Sequence, residues 1–419
     1  MAGSSIKIVP DARRDLISEL PAKAQTKHQR IVPDASRDLI SELPLELKVR
    51  ILECLPTRDA ARTALLSTHW NHVWLRLGRL AFDFDFLYDI RKCSGKSIVP
   101  YKIITYILLH RVQPVKKFSL HLCALFDPTV EQSDLDEWCL YLSRNGIEEL
   151  DISCSSHCPF KLPFCIVWCP TIKQLELWGL GFDCPINAPS IFPGVTSLIF
   201  LEVVFNHNVN GIVSSIPNLE KLEFFRYEGI SNFKFRAPKL ESLSIFGFIP
   251  GVEYRWLALH LESVKVLCLD LDSMSKWENV EVASFPTAIN LQVIKLDSIN
   301  FANEKQVMGV LKLLQKSPNL CELHITVIFL DDDIQDDDIQ DVLLLLKDPD
   351  SCIVNQDLKM LKTIKIRLFT VSTVQMLFVK MLLSKSPTLE NVVFLEKYYC
   401  HRQYNDYSIY LSSHYPTHF

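Results

Sequence analysis

The sequence predicts a mixed α/β chain in which a small all-α module precedes a repeat solenoid built on a curved parallel sheet, with helices and loops on its convex side. Three observations predict it. Short amphipathic helical patterns follow one another between Asp38 and Leu80, too few residues for a self-sufficient domain. From Ile147 onward a phrase recurs: an apolar anchor, two or three polar residues, then alternating apolar and polar positions. Finally, 48% of the 419 residues are hydrophobic, enough to bury a large core.

In the helical module, Leu43-Pro44 opens the first pattern, and Leu43, Leu47, Ile51 and Leu55 recur every fourth residue. Val49 and Leu52 widen the stripe, and Pro56 closes it. Thr57 is the expected N-cap of a second helix running to Leu66, with Asp59 favouring the positive end of its dipole. Ser67 caps a third, which carries Trp70 and Trp74 on one face. A further helix is expected from Tyr101 to Arg111.

The recurring phrase reads Ile147-Glu-Glu-Leu-Asp-Ile, Ile172-Lys-Gln-Leu-Glu-Leu, Val195-Thr-Ser-Leu-Ile-Phe, Leu219-Glu-Lys-Leu-Glu-Phe and Leu240-Glu-Ser-Leu-Ser-Ile. It continues at Val264, Leu291, Leu320, Leu361 and Leu389. Anchors from Ile147 to Val264 lie 21 to 25 residues apart, inside the range of leucine-rich repeats. Each phrase forms a short strand whose apolar side chains face a stacked interior, and a repeat that cannot close its own core must stack on its neighbours. Proline before many anchors, as at Pro217, Pro238, Pro318 and Pro387, ends the preceding helix or loop. The expected outward residues are Glu149, Asp151, Gln174, Glu176, Lys221, Glu223, Ser242, Ser244, Lys295, Glu322, His324, Lys362 and Lys365 or their neighbours, a polar face of mixed sign.

The run from Asp38 to Pro44, then Ile51-Leu-Glu-Cys-Leu-Pro-Thr-Arg-Asp-Ala, Arg62-Thr-Ala-Leu-Leu-Ser, Trp70, Trp74 and Leu80-Ala-Phe-Asp, resembles the F-box of plant F-box proteins. The repeats, and a closing segment from Leu358 through Phe394, resemble the plant proteins that join an F-box to leucine-rich repeats and an FBD domain. The resemblance implies that the helical hook docks a Skp-family adaptor and, through it, a cullin of a ubiquitin ligase. Its docking residues fall on Leu43, Pro44, Ile51, Leu52, Leu55, Pro56, Leu66, Trp70 and Trp74. Leu45 and Thr68-His69 depart from the pattern, where an acidic residue and a basic pair are usual. The implied division is a disordered tail over 1–34, an F-box over 35–83, leucine-rich repeats over 84–350, an FBD domain over 351–400 and a C-terminal tail over 401–419. Within the FBD segment, Thr373 to Ser384 reads as a helix stopped by Ser386-Pro387.

The tail holds a duplication: residues 8–21 and 31–44 are identical except for Arg13 against Ser36. The first copy lacks the apolar stripe that follows Pro44, so it builds no hook.

A net charge of −5 gives no basic footprint, which argues against nucleic acid as the main partner. No apolar run reaches the roughly 18 residues of a membrane span and no apolar leader opens the chain, so the expectation is a soluble protein of the nucleus, the cytoplasm or both, with no membrane partner. An odd count of 13 cysteines fits a reduced setting better than a disulfide framework.

Cys154, His157, Cys158, Cys165 and Cys169 are close in sequence but lack the spacing of a zinc finger. Ser94-Gly-Lys-Ser97 lacks the earlier glycine and strand of a phosphate loop. The acidic run Asp331 to Asp341 lacks the glycine and closing glutamate of a calcium loop and reads as a solvated loop between repeats. No cofactor, metal or catalytic arrangement is expected. The sequence thus points to a substrate-recognition adaptor of a Skp-cullin-F-box ubiquitin ligase whose repeats hold a target protein, with no bond chemistry of its own. A repeat scaffold with a degenerate F-box and no ubiquitin role is the alternative, and a repeat receptor for a small ligand is a third class.

Overall fold

A computed structural model describes residues 40, 42–94, 100–122, 130–154, 160–183, 185, 188–206, 214–226, 235–247, 260–271, 286–328, 336–347 and 357–395. The expected tails, the first copy of the duplicated segment and most of the second, His157, Cys158 and residues 95–97 and 331–335 lie outside them. The chain divides into two compact units, residues 1–44 and 45–419. In the first, the Leu43 amide donates to the Ile40 carbonyl at 3.2 Å, closing a turn.

The second unit opens with three short helices, α1 (Leu45–Glu53), α2 (Thr57–Thr63) and α3 (Thr68–Trp74). Ser67 caps α3 as its position requires, its hydroxyl accepting from the Trp70 amide at 3.3 Å. Thr57 is not the cap of α2; Pro56 holds that place, and the Thr57 hydroxyl instead accepts from the Ala81 amide at 2.8 Å. Helix α2 ends at Thr63 rather than Leu66, because Ala64, Leu65 and Leu66 close a turn through amides bonded three residues back. The Thr57 bond reaches β1 (Arg79–Phe82), the first strand of the sheet.

Helices α4 (Phe84–Ser94) and α5 (Pro100–Leu109) come next. Helix α5 stops two residues before the expected Arg111, which leaves the helix and reaches other carbonyls.

Then follow β2 (Lys117–Leu122), α6 (Gln132–Arg144), β3 (Glu149–Cys154), α7 (Phe164–Val167), β4 (Gln174–Trp178), β5 (Gly181–Phe182), β6 (Ser197–Leu201), β7 (Val204–Phe205), β8 (Ser214–Ser215) and β9 (Lys221–Phe225). The chain continues through β10 (Phe235–Arg236), β11 (Ser242–Phe246), β12 (Val266–Asp270), β13 (Val293–Ile299), α8 (Glu304–Gln315), β14 (Glu322–Val327), α9 (Asp336–Lys347), β15 (Thr363–Arg367), α10 (Thr373–Lys385) and β16 (Asn391–Leu395). Twelve strands form one parallel sheet in the order β1-β2-β3-β4-β6-β9-β11-β12-β13-β14-β15-β16. The segment resembling an FBD domain continues this sheet through β15 and β16. Half of the acidic run expected as a loop is helical, Asp336 to Asp341 opening α9.

The phrases from Ile147 to Leu361 fold as their alternation dictates. The anchors Ile147, Ile172, Val195, Leu219, Leu240, Val264, Leu291, Leu320 and Leu361 are buried, as are the inward-facing apolar residues of the strands after them, whereas the last anchor, Leu389, is half-buried and Val393, Phe394 and Leu395 of β16 are exposed. The buried residues share one core with the inner faces of the helices, such as Leu314 of α8 and Phe378 of α10. Both helices start at a side-chain cap: Asn303 accepts from the Gln306 amide at 3.1 Å and Ser372 from the Gln375 amide at 3.3 Å.

Two devices lock repeat to repeat. First, the residue between proline or its equivalent and the anchor donates its side chain back to the preceding repeat. Asn218 reaches the Pro193 carbonyl at 2.7 Å, Asn290 that of Glu262 at 2.6 Å, Asn319 that of Ile289 at 2.7 Å and Thr171 that of Ile147 at 2.7 Å. These bonds satisfy carbonyls that turns would otherwise leave unpaired. Second, the residue after a strand turns left-handed: Gly179, Glu202, Arg226 and Gly247 have φ of 68°, 51°, 46° and 77°. This lets the Gly179, Glu202 and Arg226 amides donate to Leu201, Phe225 and Phe246 carbonyls at 2.8, 2.7 and 2.9 Å.

Candidate protein-docking site

The nine residues that the resemblance assigns to docking divide by burial. Leu52, Trp70 and Trp74 are buried, closing the small core between α1, α2 and α3. Ile51, Leu55 and Leu66 stand exposed, Leu66 at 72%. Pro44 and Pro56 are exposed as well, and Leu43 is half-buried. Leu47 and Leu65, absent from that set, are exposed too, Leu65 at 87%. The module therefore presents Leu47, Ile51, Leu55, Leu65 and Leu66 to solvent within twenty residues of chain, with Leu47 and Ile51 one helical turn apart on one face. The sequence signal for Leu65 was its pairing with Leu66; helical spacing hid it because the turn is not helical.

Polar contacts hold the module in place. The buried Lys48 ammonium lies 2.6 Å from His69 Nε2, joining α1 to α3. Arg58 pairs with Asp89 of α4, and Glu53 accepts from the Gly78 amide at 3.3 Å.

The second surface is the open face of the sheet. Strand register aligns its side chains in rows that run across the strands. One row reads Lys117, Glu149, Gln174, Ser197, Lys221 and Ser242. The next reads Ser119, Asp151, Glu176, Ile199, Glu223, Ser244, Cys268, Lys295, His324 and Lys365. A third, toward the strand ends, holds Trp178, Leu201, Phe225 and Phe246, all half-exposed. Most residues expected to point outward do so, although Ser244 is buried and Lys362 precedes its strand.

A groove of about 1050 Å³ opens over the first strands, lined among others by Asp151, Glu176, Ile199, Leu201 and Glu223. Burial pushes the Asp151 carboxyl above the usual range, against a hydrogen bond at 2.7 Å from the Ser119 hydroxyl. At the other end of the row, burial lowers the His324 imidazole, partly offset by Glu322 at 3.0 Å.

Among the described residues no group of three His, Cys, Asp or Glu side chains could hold a metal ion. Cys154 is disulfide-bonded, which removes it as a thiolate ligand and departs from the fully reduced set expected; Cys54, Cys139, Cys165, Cys169, Cys268 and Cys321 are free. No described helix is long and apolar enough to cross a membrane.

The architecture is thus a short helical module with exposed apolar side chains followed by a parallel-sheet repeat stack. Residues 40–81 match the F-box domain. The chain is 27% identical over 388 residues to an F-box/FBD/LRR-repeat protein of Arabidopsis thaliana, covering 82% of this chain and 87% of that relative. It is 27% identical to an FBD-associated F-box protein of the same plant over 54% of this chain, and 28% identical to a second F-box/FBD/LRR-repeat protein over 47%; it spans about half the length of these two, 52% and 46%. The chain thus carries an F-box domain and is similar, along most of its length, to plant F-box/FBD/LRR-repeat proteins.

Proposed function

We propose that this chain is the substrate-recognition subunit of a Skp-cullin-F-box ubiquitin ligase. The F-box docks a Skp-family adaptor, and the open sheet face holds the target protein. The observation that carries this reading is the set of exposed apolar side chains Leu47, Ile51, Leu55, Leu65 and Leu66 inside the F-box match. Large apolar anchors of this kind fill partner pockets and dominate interface energetics. Leu52, Trp70 and Trp74 act from beneath, by holding the helices that present those anchors. The chain's contribution is proximity: it raises the effective concentration of a target lysine near a charged ubiquitin carrier.

The test is capture of purified Skp-family adaptor and cullin by the full chain, compared with a Leu43→Ala/Pro44→Ala variant. Capture by the wild type that is lost in the folded variant supports the ligase reading. A folded wild-type chain that captures no adaptor overturns it in favour of a repeat scaffold with no ubiquitin role.

A further inference from the structure

We propose that the open face over β3 to β11 binds an extended segment of the target that is basic along one edge and apolar along the other. This rests on the reading of the sheet as the target-holding surface and names what that surface selects. Two adjacent rows carry the argument. Asp151, Glu176 and Glu223 lie in one row across β3, β4 and β9, with Ile199 of β6 between the last two. Trp178, Leu201, Phe225 and Phe246 lie in the next, two residues further along each strand. Carboxylates and half-exposed rings thus run side by side, about 7 Å apart along the strands.

The charge complementarity is specific in place. In the row nearer the strand starts, Lys117 pairs with Glu149 at 2.8 Å, and Lys221 reaches across to Glu223 of the carboxylate row at 3.0 Å, so the basic edge of the segment is read chiefly at Asp151 and Glu176. Asp151 has the neutral Ser119 hydroxyl as its hydrogen-bond donor, and an arriving ammonium or guanidinium would supply a counter-charge deep in the groove. The ring row accepts cations as well as apolar groups: the chain's own Arg226 places its guanidinium carbon 5.6 Å from the Phe225 ring centre. Further on, the row carries Lys295 and Lys365 in place of carboxylates, which repels a basic segment and confines it to the earlier strands. Four strand-to-strand steps from β3 to β11 span about 19 Å, the reach of an extended segment of about six residues.

The experiment selects random dodecapeptides displayed on phage against the full chain without adaptor, then measures the affinity of the enriched peptides. The expected result is enrichment of peptides combining Lys or Arg with aromatic or aliphatic residues. Their affinity should fall at least about tenfold in Asp151→Asn/Glu176→Lys, and also in Phe225→Ala, while Lys365→Glu does not weaken it. If the double variant melts at a lower temperature than wild type, Glu176→Gln replaces it, with a proportionate loss expected. Enrichment of neutral or acidic peptides, no enrichment, or affinity insensitive to the carboxylate substitutions overturns the proposal. Adaptor capture measured on the same preparation separates its failure from failure of the ligase reading.

Discussion

The guanidinium of Arg111 lies over the indole of Trp74, its central carbon 5.2 Å from the ring centre, while Nη1 donates to the Trp74 carbonyl at 2.8 Å. Its Nη2 donates to the Leu77 carbonyl. Trp74 ends α3, so the cation sits at the negative end of that helix, and its bonds reach 34 to 37 residues back along the chain. Burial lowers the guanidinium to about 10, still protonated at neutral pH.

Arg111→Ala should therefore lower the free energy of unfolding by about 2 to 4 kcal/mol, because it strands two carbonyls and removes a cation from a ring. Arg111→Lys should recover only part, since an ammonium cannot fork between two carbonyls. Urea unfolding checks both, and an unchanged midpoint in Arg111→Ala would remove this residue from the framework.

The hook separates stability from binding. Leu66 is 72% exposed, so Leu66→Glu should change stability by no more than about 0.5 kcal/mol yet weaken adaptor capture at least about tenfold. Trp74→Ala, in the core, should cost about 3 to 5 kcal/mol. Thermal melts alongside adaptor titration read both effects; wild-type affinity in Leu66→Glu would put the docking surface elsewhere.

How much of this was legible in the sequence follows from what each signal encodes. The alternation after Leu219 or Leu320 needs only a buried and an open side, so strands, their parallel stacking and the buried anchors were readable. The hook was readable as a pattern, but Trp70 and Leu66 look alike at helical spacing, and only packing shows that one is covered and the other is not. The cap at Thr57 failed because its hydroxyl is used by Ala81, a bond 24 residues away that no local rule sees. The row Trp178, Leu201, Phe225 and Phe246 was missed because its members lie in different repeats and only strand register makes them neighbours.

Gly179 follows β4 at φ 68°, and a Cβ there would meet the Cys154 carbonyl oxygen at 2.4 Å. Gly179→Ala should cost about 1 to 3 kcal/mol from backbone strain plus that clash. Gly78→Ala is the control, since its nearest contact would be the flexible Glu53 carboxylate at 3.4 Å. Melting temperatures of the two variants should diverge accordingly; equal values would show that the strand end relaxes freely.

His260 is buried with its ring stacked on Phe235, centres 4.7 Å apart. Burial pushes the imidazole down from 6.5 to about 4, against a hydrogen bond to the Phe235 backbone that raises it. Between those values the unfolded chain binds a proton that the folded chain refuses. Unfolding free energy therefore rises with pH through this window, and the contribution is lost as pH falls from 6.5 toward 4. The shift corresponds to about 3 kcal/mol. Asp151 and Asp297, whose carboxyls burial raises, act with the opposite sign, their contributions being lost as pH rises through their folded values. The His260→Phe difference curve isolates the imidazole: relative to wild type, the variant should gain stability progressively from pH 6.5 down toward 4. Parallel pH profiles for the two chains would show that this ring protonates inside the folded protein.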